Sequence, residues 1–357
     1  MLNHGRFAAS AAFGLLLAAS SPAPSKGQSE LPVPVSPAPV LESDRTLEQS
    51  DRLEESANQL LGQGEFDAAL TDLQKSRRLR ASVMGEQHWV IRTADETIKD
   101  LTRIGTLPGE RRKAAHEAIQ KWKACLNAPD AAPTPEHAGK MTACCKPVCE
   151  ILGPASCLSL EARVQLAQAL AAARQFAECQ STAAECAEGT KKLLGENHPW
   201  YAFSLSLQAT AYGELAQWEE ARKVAGLALR ANEHLWGEDT PPCGLCFLTL
   251  SWIDINRKNY EAARRHADNA LHALAPEQEQ DPANYALAKA RLAHALSELG
   301  KHAEAREQYI TLVEFVEKND KVPDDLQEEV NRKYSALLQK LGRTAELEAL
   351  ESGKVTK

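Results

Sequence analysis

Five short stretches recur at one fixed spacing, and that spacing limits what this chain can fold into. "RQFAEC" begins at Arg174, "AQWEEA" at Ala216, "KNYEAA" at Lys258, "GKHAEA" at Gly300 and "GRTAEL" at Gly342, each 42 residues after the last. A second landmark keeps the same step: Gly195 of "LGENHP" and Gly237 of "WGEDTP" also stand 42 apart. Earlier copies occur as "GEFDAA" from Gly64 and "MGEQHW" from Met84, but Gly64 lies 110 residues before Arg174. That gap is not a multiple of the period, so a segment has been inserted. A helical unit repeated at this length buries its apolar face only by stacking on copies of itself.

The repetition also decides how "GENHP" is read. Glu196 and His198 have the look of an acid–base pair, yet the next copy is "GEDTP" and the one after it is "PEQEQDP" (Pro276–Pro282). A catalytic pair need not recur, whereas a helix junction must. Gly195 and Gly237 suit a left-handed C-cap, Asp239 or Thr240 an N-cap, and Pro199 and Pro241 a first helical turn. Between junctions lie two helical patterns. Leu205, Ala209 and Tyr212 share a face of the first, and Trp218, Ala221, Ala225 and Ala228 a face of the second. The slot of Ala221 is filled by Ala69, Cys179, Ala263, Ala305 or Leu347, and that of Ala228 by Ser76, Cys186, Ala270 or Leu312. Most of these are small, as close approach of paired helices requires.

On Ala209, Tyr212, Trp218, Ala221 and Ala228, and on the small residues Ala167, Ser251 and Ala293 in the slot of Ala209, the chain resembles the tetratricopeptide repeat (TPR). The 42-residue period and the "LGE-x-HP" connector resemble the kinesin-light-chain variety. The resemblance spans Arg174–Lys318 most closely, extends to Asp44–Val83, and fades from Lys321 to Leu350 into what looks like a cap. Gln208 and Asp254 depart from it, standing where the family prefers apolar residues, and Leu107–Pro154 does not follow it. The implied fold is all-α: a right-handed α-solenoid of antiparallel helix pairs, a TPR-like superhelix, behind an unstructured N-terminal leader and linker.

The N-terminus reads as an export signal. Arg6 precedes "FAASAAFGLLLAAS" (Phe7–Ser20), an uncharged stretch of signal length and too short to span a bilayer. Ala18 and Ser20 offer a cleavage site, which assigns residues 1–20 to a signal peptide and the mature chain to the periplasm or exterior. The alternative is a chain tethered to the membrane by an uncleaved leader. Residues 21–43 are Pro/Ser-rich and read as an extended spacer. Residues 44–127 are expected to form N-terminal TPR-like helix pairs, with Gly109–Leu126 partnering Trp89–Ile104. Residues 128–155, with prolines at 129, 133, 135, 147 and 154, read as a Cys/Pro-rich insertion, loop-rich or a damaged repeat. Residues 156–320 hold the regular repeats, and 321–357 hold capping helices and a tail.

Nine cysteines in an exported chain suggest disulfides, and five of them fall between Cys125 and Cys157. Cys179 and Cys186 occupy small-residue slots and also read as packing thiols. Cys186, in an antiparallel pair, lies opposite the start of its partner helix, which makes Cys157–Cys186 the candidate bridge. A thiolate metal site with His137 fits no recognised spacing. "CGLC" (Cys243–Cys246) lacks the strand–helix setting of a redox motif. "HEAIQ" (His116–Gln120) lacks a second histidine, and no phosphate loop or nucleophile elbow occurs. No catalytic residue, metal ligand or cofactor is therefore assigned. The formal charge of −8 gives no basic stripe for nucleic acid or anionic lipid, and nothing beyond the leader predicts stable membrane insertion.

The resemblance implies a concave groove lined by the first helix of each pair, holding a peptide or partner helix. It places Phe203, Ser206, Thr210 and Glu214 there in one copy, Leu248, Trp252, Ile255 and Asn256 in the next, then Ala290, His294 and Glu298. Trp252 stands where neighbouring copies have Thr210 and His294, so the shared core does not demand it. It reads either as an exposed binding anchor or as a cover for an adjacent helix. The expected function is a non-enzymatic, exported protein-binding scaffold with a protein or peptide partner. Two alternatives are a thiol- or metal-dependent protein built on Cys125–Cys157, with the repeats as support, and a structural element of an envelope assembly.

Overall fold

The computed structural model describes residues 42–126 and 134–351. The signal-peptide assignment, nearly all of the spacer, and the tail from 352 lie outside the described residues. Among those described, the chain is helical throughout, without a strand. The helices are α1 (Glu42–Gln63), α2 (Phe66–Met84), α3 (Trp89–Gly105), α4 (Gly109–Leu126), α5 (Pro135–Leu152), α6 (Cys157–Ala172), α7 (Phe176–Leu193) and α8 (Pro199–Glu214). There follow α9 (Trp218–Trp236), α10 (Pro241–Asn256), α11 (Tyr260–Leu274), α12 (Pro282–Glu298), α13 (His302–Glu317), α14 (Asp324–Lys340) and α15 (Thr344–Glu351). They form two units. One comprises the described residues up to 175 together with 185–200, the other 176–184 and everything from 201 onward.

The 42-residue landmarks are the tight turns inside helix pairs. Arg174, Ala216 and Lys258 have φ of 62°, 58° and 59°, and Gly64, Gly300 and Gly342 fill the same slot with φ of 84°, 77° and 67°. At each turn the next backbone N–H reaches back to close the helix end: Gln217 to Tyr212 O at 2.9 Å, Asn259 to Asp254 O at 2.8 Å, Lys301 to Leu296 O at 3.0 Å. This satisfies carbonyls that would otherwise be orphaned. The junctions between pairs differ from expectation. Gly195 and Gly237 do have positive φ, 93° and 94°. The ψ of Gly237, however, is 165°, which is not the left-handed helical cap but an extended region open essentially to glycine alone. Thr240 occupies the N-cap position of α10 but makes no capping bond, its hydroxyl donating instead to Gly237 O at 2.9 Å.

The small slots are the buried ones. Ala69, Cys179, Ala221, Ala263 and Ala305 have no exposed surface, nor have Ala167, Ala209, Ser251 and Ala293. Larger side chains there would hold the paired helices apart. In the C-terminal unit α9 to α15 pack each on the next. Helix α10 also touches α12, and α12 touches α14, so first helices line up along one face.

The N-terminal unit departs from this scheme. Residues 135–152, within the segment read as loop-rich or a damaged repeat, form helix α5. Pro135 sits at its first turn, where the missing N–H costs nothing, and Thr134 accepts from His137 N at 3.2 Å. Pro147 is tolerated inside the helix. The reason lies in Ala138, Met141, Cys145, Val148 and Leu152, a buried stripe at spacings of three and four that needs covering from both sides. Helices α4 and α6 cover it. As a result α4 packs mainly on α1 and α5 rather than pairing with α3, with His116 stacked on Phe66 at 3.5 Å. Helix α3 turns instead to α6, where Asp100 Oδ2 accepts Ser156 Oγ at 2.7 Å and Leu158 N at 3.1 Å.

Candidate functional site

A cleft with both apolar and polar lining lies in the C-terminal unit, on the face of first helices. Helix α8 contributes Thr210 and Glu214, α10 contributes Leu245, Leu248, Thr249 and Trp252, and α12 contributes Asn284, Leu287 and Arg291. On α10 and α12 these residues recur at spacings of three, four and seven, which puts each set on one helix face. The cleft is narrow, with a water-sized space of about 20 Å³. Its floor holds two buried polar groups. The Arg291 guanidinium donates to Leu248 O, and burial pulls its pKa down to about 10. Asn284 is 1% exposed; its amide nitrogen donates to Asp281 Oδ2 at 2.7 Å, while its Oδ1 has no hydrogen-bond partner. A buried carbonyl oxygen left in this state favours an incoming N–H or O–H donor.

Of the residues expected in the groove, Thr210, Glu214, Leu248 and Trp252 meet in this cleft. Trp252 resolves its two readings in favour of packing: it is 8% exposed, and its ring meets Trp218 edge-on at 5.5 Å. The other seven lie outside it. Phe203 is buried, Ile255 is half-buried and Asn256 is exposed, Asn256 Nδ2 donating to Trp252 O at 2.8 Å. His294 accepts from Lys333 Nζ at 2.9 Å and lies 3.9 Å from Glu298. Burial, with Lys333 beside it, pulls the His294 pKa down to about 4. Sequence reasoning missed Leu245, Thr249, Asn284, Leu287 and Arg291. The first two were within reach, one turn before Leu248 and beside it on the same face.

Asp254, which departs from the apolar preference at its position, is a buried junction between helices. Its side chain has no exposed surface and meets Arg222 Nε at 3.1 Å, Arg257 Nη1 at 3.7 Å and His266 Nδ1 at 2.9 Å. Burial pushes the carboxyl up, but His266 and Arg222 outweigh it and hold the pKa below the usual range. An open depression of about 810 Å³ on the same unit is lined by Glu233, Glu238, Asp239 and Asp268, with Phe247 and His272.

The histidine of "GENHP" is structural. His198 has no exposed surface, its Nδ1 accepts from Trp200 N at 3.1 Å, and its Nε2 meets Thr93 Oγ1 at 2.8 Å. Burial, with Arg92 nearby, pulls its pKa down to about 3, so the ring is neutral. His88 repeats the role at the head of α3, its Nδ1 accepting from Val90 N at 3.3 Å. Cys157 and Cys186 are both buried in the N-terminal unit, and all nine cysteines are thiols. Thr97 Oγ1 lies 3.6 Å from Cys157 Sγ. Among the described residues, no three histidine, cysteine or acidic side chains gather as a metal would need, and His137 joins no such group. Likewise, no helix among them is long and apolar enough to cross a membrane.

Stacked helix pairs, small buried slots and a 42-residue step define a TPR-like helix-repeat fold. No family model and no curated protein matches the sequence. Among solved structures, the chain is similar to the nearly identical TPR-like repeats of a putative kinesin light chain from Podosopora anserina, solved in its parent form and as a single-substitution variant. Each is 17% identical with a TM-score of 0.47, covering 56% of this chain and 93% of the other. It is also similar to BtubC (BKLC) from P. vanneervenii, 14% identical with a TM-score of 0.45, covering 79% and 94%.

Proposed function

We propose that this chain is an exported, non-enzymatic scaffold that binds a protein or peptide in the cleft between α8, α10 and α12. The observation that carries the reading is the cleft itself: leucines from two helices flank a buried amide oxygen lacking a donor. An extended peptide or helix laid over the cleft, covering its leucines and offering one backbone N–H, satisfies both. The repeat class is generally one of protein-interaction scaffolds, which supports the same reading.

The test places a photo-crosslinker at Thr249 and, as control, at Asp268, in chains isolated with their native envelope fraction. A defined adduct at Thr249 that Leu245→Arg abolishes, with none at Asp268, supports the cleft. Equal labelling at both positions, or an adduct indifferent to Leu245→Arg, overturns it. Export rests on the apolar stretch Phe7–Ser20 behind Arg6. N-terminal sequencing of the native protein should begin near Ser21; a chain retaining Met1 in the cytosol overturns export.

A further inference from the structure

We propose that Cys125 and Cys144 form a disulfide that staples the end of α4 to the middle of α5. It is independent of the cleft in the other unit. The two thiols interact with one another, on helices that pack together. Both are half-buried and rest against the same apolar cluster, so an oxidant reaches them while their positions stay fixed. Neighbouring thiols are already engaged with backbone: Cys145 Sγ donates to Ala162 O at 3.2 Å and Cys149 Sγ to Ser159 O at 3.8 Å. Cys157 Sγ similarly faces Thr93 O at 3.8 Å.

The oxidant is a disulfide, small or protein-borne. The Cys144 thiolate attacks one of its sulfurs, forming a mixed disulfide and releasing one thiolate. The Cys125 thiolate then attacks the Cys144 sulfur, the protein disulfide forms and the second thiolate leaves. Two protein thiols thereby give up two protons and two electrons, and the oxidant becomes two thiols. Burial, and Cys144 beside it, push the Cys125 pKa up, while Lys140 acts the other way. The reaction is therefore slow at neutral pH and accelerates with pH.

The test treats the full chain with oxidised glutathione and maps it by trypsin without reduction. Cleavage after Lys123, Lys140 and Arg163, with Lys146 protected by Pro147, gives one peptide holding Cys125 and a second holding Cys144, Cys145, Cys149 and Cys157. The expected product links these two peptides. It survives Cys145→Ser and Cys149→Ser and disappears in Cys125→Ser and Cys144→Ser. Closing a loop of this length raises the melting midpoint of the oxidised wild type by on the order of 5–10 °C over its reduced form. The Cys144→Ser variant loses that redox-dependent difference. A linkage to Cys145, Cys149 or Cys157, or thiols that both remain free at pH 8.5 under excess oxidant, overturns the assignment.

Discussion

Replacing Gly213 with alanine tests whether Trp252 is a packing residue. A Cβ at position 213 would lie 2.6 Å from Trp252 Cη2 and 3.3 Å from Cε3, with Cζ3 closer still. Carbon atoms in ordinary contact stand about 3.5–4.0 Å apart, so the indole must retreat by roughly an ångström. Its retreat is blocked, because the ring is buried and set edge-on against Trp218. Overpacking of this kind costs about 1–3 kcal/mol. The helical gain of alanine over glycine returns under about 1 kcal/mol at the end of α8. The net expectation is a loss of about 1–2 kcal/mol, or roughly 2–8 °C in melting temperature for a unit of this size. Urea unfolding followed by circular dichroism and tryptophan fluorescence measures it. In the double variant Gly213→Ala/Trp252→Leu the cost falls below the sum of the single costs, with a coupling of at least about 1 kcal/mol. A neutral or stabilising Gly213→Ala with strictly additive double-variant behaviour would refute the argument. Trp252→Ala itself should lose about 3–5 kcal/mol of stability, so a binding defect in that variant says nothing about the cleft.

Three further outcomes are expected. Asp254→Ala leaves Arg222, Arg257 and His266 facing one another; because the two arginines reach solvent, the cost is about 2 kcal/mol rather than the about 3–5 kcal/mol of a fully buried pair, read by urea midpoint. His198 is neutral in the fold with a pKa near 3, so its contribution is fully present above the unfolded value of about 6.5 and is lost as pH falls from there towards 3. Between pH 7.5 and 5 this removes on the order of 1–2 kcal/mol, and His198→Asn, which keeps a capping oxygen, should flatten that part of the stability–pH curve. At the intra-pair turns Ala216→Gly and Lys258→Gly relieve a left-handed non-glycine residue and should stabilise by about 0.5–1 kcal/mol, while Gly300→Ala destabilises by a similar amount; identical melting temperatures would contradict the role given to these turns.

Much of the architecture was legible because it is local and repeated. The step from Arg174 to Gly342 marked each intra-pair turn, and the small residues at the slots of Ala209, Ala221 and Ala228 marked where helices meet. "GENHP" lost its catalytic look once its copies were compared, and His198 is indeed bound up in a helix start. Four groove positions could be named from the resemblance and do share a cleft; that Asn284 and Arg291 complete it could not be read from spacing, since neither recurs.

By itself the sequence determined the helices, their pairing from Arg174 onward and the small contacts that let pairs stack, because each of these depends on residues a few positions apart and is stated again in every copy. Tertiary structure alone decided the single-copy features. Helix α5 exists despite its prolines because α4 and α6 cover its stripe, and α4 leaves α3 to do so. Trp252 is buried because Gly213, 39 residues earlier, lacks a side chain, and the Asp254 carboxylate is tolerated because α9 and α11 bring Arg222 and His266 to it, with Arg257 just past the end of its own helix. Compensation between distant, unrepeated positions leaves no periodic trace along the chain; it becomes visible only where the atoms meet.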